Sequence, residues 1–121
     1  MIYRGNWLAV NKYLNYRYEV DQVSDKTIRL EKTWLRHLLL WADKTPFNKI
    51  PKRRPTFPQY LLSARLDGSE DDFSQIYIDK VIGTSKRFLE WLSKYKSGYN
   101  FIRSGYLDTL KSPRLEQKPV E

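Results

Sequence analysis

Four of the six prolines fall between residues 45 and 58, and this cluster most limits how the 121-residue chain can fold. A proline inside a helix removes a backbone donor and clashes with the preceding turn, so no long helix can cross this segment. On both sides of it, apolar residues recur every three or four positions, which is the period of an amphipathic helix. No segment shows the two-residue alternation of a strand. The sequence therefore predicts an all-α fold, a small bundle of three long helices with one or two short ones.

The first two long helices are predicted at residues 7–20 and 25–44. Asn6 and Ser24 are the expected N-caps, because their side chains can accept a hydrogen bond from a free amide of the first turn. The expected inner faces are Trp7, Val10, Leu14 and Tyr18 in the first helix, and Ile28, Leu30, Trp34, Leu35, Leu38, Leu39, Trp41 and Ala42 in the second. A helix as apolar as the second must be covered on more than one side.

The third long helix is predicted at residues 75–96, with Ser74 as its N-cap and Gly98 as its stop signal. The expected inner face is Ile78, Val81, Ile82, Ser85, Phe88, Leu89 and Leu92. Gly83 lies inside this helix, where a glycine costs about 1 kcal/mol relative to alanine. A close backbone approach would explain the glycine, and the approaching group is either another helix or a phosphate.

The remaining segments are short. A short helix is predicted at residues 59–65, opened by Pro58, and another at residues 103–110. Residues 67–72 are predicted to form an acidic, exposed loop. The domain is expected to span residues 1–112, and residues 113–121 have the composition of a linker.

The charge of the chain favours a polyanionic partner. Lys and Arg number 22 against 14 Asp and Glu, which gives a formal charge of +8 and a pI near 9.7. Nucleic acid is the first candidate and an acidic membrane the second. A role at a membrane surface would need a free apolar face, whereas the core needs these faces. No apolar run approaches the roughly 18 residues of a membrane span, and the first residues lack a signal-peptide core, so we expect a cytoplasmic location.

The residues predict neither a catalytic centre nor a cofactor or metal site. The chain has no cysteine and one histidine, which excludes thiol nucleophiles, zinc fingers and His-rich metal sites. His37 lies mid-helix and is expected at the edge of the core. A tyrosine nucleophile would need converging Arg, Lys and His groups, which a chain with one histidine does not assemble. No phosphate-binding glycine loop is present either.

Two helices carry a polar, mostly basic strip opposite their apolar face. The first basic strip is Lys26, Arg29, Thr33 and Arg36, and the second basic strip is Lys80, Thr84 and Arg87. The proline-rich segment adds an acid-free basic joint, Lys49, Lys52, Arg53 and Arg54. A helix fits the major groove, and Lys, Arg and Thr are common phosphate contacts. These features predict double-stranded DNA as the partner.

Three segments together resemble a known domain family. The segment 24–42, with its Ser/Thr-rich start, its Leu35-Arg36 pair and its late Trp41, resembles the second helix of the core-binding domain of tyrosine recombinases, the family of phage integrases. The segment 74–92 resembles the fourth helix, through Arg87-Phe88-Leu89-Glu90-Trp91-Leu92. The segment 106–114 is similar to the family's passage into its interdomain linker. The resemblance covers about residues 7–115.

The resemblance implies a SAM-like helical bundle that forms one jaw of a clamp on duplex DNA. It implies DNA integration or recombination for a phage or other mobile element, near the nucleoid, in company with other recombinase protomers. Cleavage would belong to a C-terminal catalytic domain of the same chain, so this part would bind DNA without being an enzyme itself. The matching DNA-contact positions are Thr27, Arg29, Thr33, Lys80, Thr84 and Arg87.

Two other functions remain open. The first is a stand-alone helical regulator, in which residues 21–23 form the turn of a helix-turn-helix and residues 25–44 its reading helix. The second is a protein-interaction module that uses exposed aromatic residues. Salt distinguishes these classes, because an apolar interface should survive a rise in ionic strength while phosphate binding should weaken.

Overall fold

The computed structural model describes residues 1–66, 74–96, 98–99 and 105–113, and every regular element among them is a helix. The α-helices are α1 (Arg4–Glu19), α2 (Asp25–Ala42), α3 (Phe57–Leu66) and α4 (Gln75–Tyr95), and short 3-10 helices cover Phe47–Lys52 and Leu107–Thr109. The predicted all-α bundle of three long helices with shorter ones is confirmed. None of the helices in the described part is long and apolar enough to cross a membrane.

The centre of the bundle is α2, which packs against both α1 and α4, and these two helices also contact each other. Leu35 and Leu38 of α2 are fully buried. All seven residues predicted for the inner face of α4 are buried as well. The prediction that α2 needs cover on more than one side is confirmed, although Leu30, expected on its inner face, is 42% exposed.

The predicted inner face of α1 is partly wrong. Val10 and Leu14 are buried, but Trp7 and Tyr18 are 51% and 55% exposed. Tyr13 takes the inward position instead, with its ring 5.3 Å from that of Phe88 and 5.4 Å from that of Trp91. These aromatic contacts with α4 turn the buried side of α1 away from the face that the spacing predicts.

The N-cap predictions are confirmed for two helices and wrong for α1. The side chain of Ser24 accepts from the Thr27 amide at 3.2 Å, and that of Ser74 accepts from the Tyr77 amide at 3.1 Å. Helix α1 begins earlier, after Tyr3, and Asn6 lies inside its first turn, 1% exposed.

Asn6 ties α1 to the proline-rich segment. Its Nδ2 donates to the carbonyl of Thr45 at 2.8 Å, and its Oδ1 accepts from the amide of Phe47 at 2.9 Å. This segment forms no long helix, as predicted, and buries Phe47 and Ile50 against the core. The Arg54–Pro55 peptide bond is cis. The short helix predicted after Pro58 is confirmed as part of α3.

A buried ion pair that the sequence analysis did not identify joins α1 to α2. Arg17 donates to Glu31 through Nε at 3.0 Å and through Nη2 at 2.8 Å, and its Nη1 donates to Asp21 at 3.0 Å. Glu31 is 2% exposed. The hydrogen bonds to Glu31 raise the pKa of Arg17 above its usual value, so the guanidinium stays charged.

Near the C-terminus the structure is less helical than predicted. Gly98 adopts a positive φ of 91° just beyond the end of α4, in keeping with a stop signal. Of the helix predicted at residues 103–110, residues 107–109 form a 3-10 helix and residues 103–104 lie outside the described part. The acidic loop predicted at 67–72 and the linker residues 114–121 also lie outside it.

We expect Glu31→Leu to lower the free energy of unfolding by about 3 kcal/mol, because it leaves the Arg17 guanidinium in a desolvated site without its main partner. The double variant Arg17→Met, Glu31→Leu should recover most of this loss, since a packed apolar pair replaces a desolvated ion pair. Urea denaturation of the three proteins measures both effects. Equal stability of Glu31→Leu and the wild type would contradict the structural role of the pair.

We also expect stability to fall between about pH 10 and pH 12, because burial raises the pKa of Tyr13 to about 12 against the lowering effect of the Arg17 charge. Below pH 10 the neutral phenol prevails in both states, and above it only the unfolded chain releases the proton. Tyr13→Phe should remove up to about 1.4 kcal/mol per pH unit of this decline. Urea denaturation at pH 8–12 measures it, and identical declines in both proteins would refute the prediction.

Candidate nucleic-acid interface

The first basic strip lies on the outer side of α2. Lys26, Arg29, Thr33 and Arg36 are all exposed. Their spacing places them opposite the buried Leu35 and Leu38, since residues at this period share one side of a helix. Thr27 is half-buried, and its Oγ1 accepts a hydrogen bond from the Ser24 hydroxyl at 3.1 Å. The Thr27 hydroxyl therefore belongs to the N-cap of α2 and lies apart from the first basic strip.

Two of the three residues of the second basic strip lie on the outer surface of α4, as predicted. Lys80 and Arg87 are exposed on α4, but Thr84 is only 4% exposed, so its predicted place on the outer surface is wrong. Thr84 is three residues after Val81 and four before Phe88, both fully buried, and it shares their side of the helix. The position between the two cations on the outer side belongs to Gly83, which is exposed.

Trp34 lies where α2 meets α4, beside the second basic strip. The Lys80 ammonium is 6.0 Å from the centre of the Trp34 ring, a cation–π contact. On the far side of α2, Thr33 and Arg36 line a groove of about 310 Å³ together with Trp7 of α1. Lys80 therefore reaches towards α2, while the end of the first basic strip borders α1.

The basic joint divides into exposed and structural residues. Lys49, Lys52 and Arg54 are exposed. Arg53 is half-buried, and its Nε donates to the Trp41 carbonyl at 2.6 Å while its Nη1 donates to Thr45 at 3.1 Å. Its guanidinium also lies 6.0 Å from the Trp41 ring centre. Arg53, predicted as a DNA contact, is thus engaged in holding the proline-rich segment against α2.

The cations of the second basic strip contact aromatic side chains rather than carboxylates, since Lys80 lies over Trp34 and Arg87 approaches the Tyr13 hydroxyl. Within the described part of the chain, the ion pairs are those of the Met1 amino group with Asp43 and of Arg17 with Asp21 and Glu31. None of them involves a cation of either strip. Among the described residues, no carboxylate lies within 4 Å of a cation of either strip, although Glu90 shares the outer side of α4 with Lys80 and Arg87.

A further cationic contact escaped the sequence analysis. Lys12 of α1 and Lys96 at the end of α4 lie beside a small groove of about 220 Å³ that Tyr99 also lines. The hydrogen-bonding contact with Lys12, together with its charge, lowers the pKa of Lys96. No periodic signal could have revealed this pair, because its members are far apart in the chain and belong to different helices.

His37 occupies the edge of the core, as predicted. It is half-buried, and its Nε2 lies 2.8 Å from the Tyr77 hydroxyl of α4. Across the described ranges, no cluster of three or more His, Cys, Asp or Glu side chains is placed to hold a metal ion.

No family model, no curated protein and no solved structure matches this chain. The resemblance to recombinase core-binding domains accordingly remains a prediction.

We expect Arg53→Ala to lower the free energy of unfolding by about 2 kcal/mol, because it leaves the Trp41 carbonyl without a charged donor. Lys52→Ala is the matched control: the residue is the adjacent cation, it is exposed, and its loss should change stability by less than about 0.5 kcal/mol. Urea denaturation compares the two. Equal effects would contradict the structural assignment of Arg53.

Proposed function

We propose that this chain is the DNA-binding core domain of a tyrosine-type site-specific recombinase or integrase. It holds duplex DNA, mostly through phosphates, while a separate catalytic domain cuts and rejoins the strands. The observation that carries the proposal is the set of exposed cations on α2 and α4 that form no ion pair with a described carboxylate.

The unpaired charge supports a polyanionic partner on physical grounds. Cations crowded on one molecule repel one another, and binding to DNA relieves this repulsion while releasing the counterions that surround the phosphates. The formal charge of +8 has the sign and size for such an interaction. The ion pair between Arg17 and the buried Glu31 uses a cation that neither strip contains.

The spacing of the cations on α4 suits a contact with one DNA strand. Lys80 and Arg87 are seven residues apart, which corresponds to about 10 Å along a helix axis at 1.5 Å per residue. Phosphates of one strand follow one another about every 3.4 Å along the duplex axis. A helix lying along the sugar-phosphate backbone would therefore bring both cations near the same short run of phosphates.

The position of α2 disfavours the helix-turn-helix alternative. A reading helix must project from the domain so that it can enter the major groove. Among the described elements, α2 instead packs against α1, α3 and α4, and its outer side is exposed. The exposed rings of Trp7 and Tyr95 keep the protein-interaction alternative testable, and salt dependence separates it from DNA binding.

The first test is a titration against a mixed-sequence DNA duplex at several salt concentrations, followed by tryptophan fluorescence. We expect log K to fall with log [salt] at a slope of about −4 to −6, which corresponds to some 5–7 phosphates. Lys80→Ala and Arg87→Ala should each reduce the magnitude of the slope by about one and weaken all sequences alike.

Lys12→Ala is the control, since it removes the same charge from α1, away from both strips, and should change the slope less. A thermal melt of each variant checks that folding is intact. If neither Lys80→Ala nor Arg87→Ala changed the salt slope, the assignment of the α4 face as a DNA contact would be wrong. If the wild type failed to bind even at low salt, the DNA-binding proposal itself would fall.

A further inference from the structure

Gly83 occupies the middle of the outer face of α4. This face consists of Ile76, Lys80, Gly83, Arg87, Glu90 and Lys94, all exposed. Gly83 follows Lys80 by three residues and precedes Arg87 by four, so its Cα lies between theirs on the helix surface. The Lys80 ammonium leans towards Trp34 of α2, and the Arg87 guanidinium leans towards Tyr13 of α1. The backbone of α4 is therefore bare at the centre of the proposed interface.

Nothing in the described part of the chain requires a glycine here. A Cβ built at this position would meet no atom within 4 Å, and the φ angle is not in the left-handed region. Of the two groups that the sequence analysis left open, a neighbouring helix is thus excluded among the described residues. Glycine disfavours an exposed helix interior relative to alanine, because it loses more backbone entropy on folding.

We infer that Gly83 is the point where the DNA backbone comes closest to α4, with a phosphate seated between Lys80 and Arg87. This inference rests on the proposed function and locates its central contact. Without a Cβ, the phosphate can approach the helix surface directly, as phosphates approach glycine backbones elsewhere. The shorter distance strengthens the attraction to both flanking cations, since the Coulomb energy varies inversely with distance.

The inference predicts opposite effects on stability and on binding. Gly83→Ala should raise the melting temperature by a few degrees, because alanine has the better helix propensity and space is available. The same variant should weaken binding to the duplex. Gly83→Leu should weaken it by about tenfold or more, as the larger side chain pushes the phosphate away from both cations, and its salt slope should be shallower by about one to two.

The experiment measures melting temperature, duplex affinity and salt slope for the wild type, Gly83→Ala, Gly83→Leu and Asn15→Leu. Asn15 is exposed on α1, so Asn15→Leu places an exposed leucine on a helix outside the proposed contact and should leave the affinity unchanged. Wild-type affinity in Gly83→Leu would overturn the inference. So would a loss of stability in Gly83→Ala, because it would reveal an internal contact at this position.

The outcomes separate this inference from the proposal beneath it. If Lys80→Ala and Arg87→Ala change the salt slope while Gly83→Leu binds normally, the duplex contacts α4 but does not approach it at Gly83. If the wild type does not bind the duplex, both conclusions fail together. Weaker binding by Asn15→Leu equal to that of Gly83→Leu would also overturn the inference, because the effect would then be general.

Discussion

The burial of α2 between α1 and α4 determines what the rest of the molecule can do. Because Leu35 and Leu38 are fully covered, α2 has one side left for solvent. The period of the helix then assigns that side to the first basic strip. The same packing brings Trp34 to the edge of α4, where the Lys80 ammonium lies over its ring. The hydrophobic core thus sets both the exposure of the cations and the distance between the two helices that carry them.

Polar contacts inside the bundle fix elements that apolar packing alone leaves free to slide. Asn6 binds two backbone groups of the proline-rich segment, and Arg53 binds the end of α2 from that segment. The Arg17–Glu31 pair sets the position of α1 along α2. Each interaction has defined donors and acceptors at one geometry, so a shifted helix would leave buried polar groups unsatisfied. Four residues that look like an ordinary cap or surface charges in the sequence therefore serve the fold.

The sequence was a good guide to the helices and a weaker one to the roles of single residues. The positions of α2 and α4, their serine caps and the inner face of α4 follow from a period that many residues share. The roles of Asn6 and Arg53 depend on single tertiary contacts, and the burial of Thr84 depends on a small rotation of α4 about its axis. The helical period resolves neither. Glu31 was open to detection, because a carboxylate between Ile28 and Leu35 on the inner side of a helix needs a buried partner. The identity of its partner, Arg17, could not be predicted in this way, since Arg17 lies on another helix.

The structure places Gly83, and not the predicted Thr84, at the centre of the outer face of α4. This changes the chemistry proposed for that face. A threonine would add a hydroxyl that donates to one phosphate, whereas a bare backbone adds no donor and works by distance alone. The amide of a residue inside a helix is already bonded within it, so attraction at Gly83 must come from Lys80 and Arg87. Such a contact depends on the charge of the DNA backbone and little on base identity. A domain that grips DNA in this way leaves the choice of sequence to other contacts.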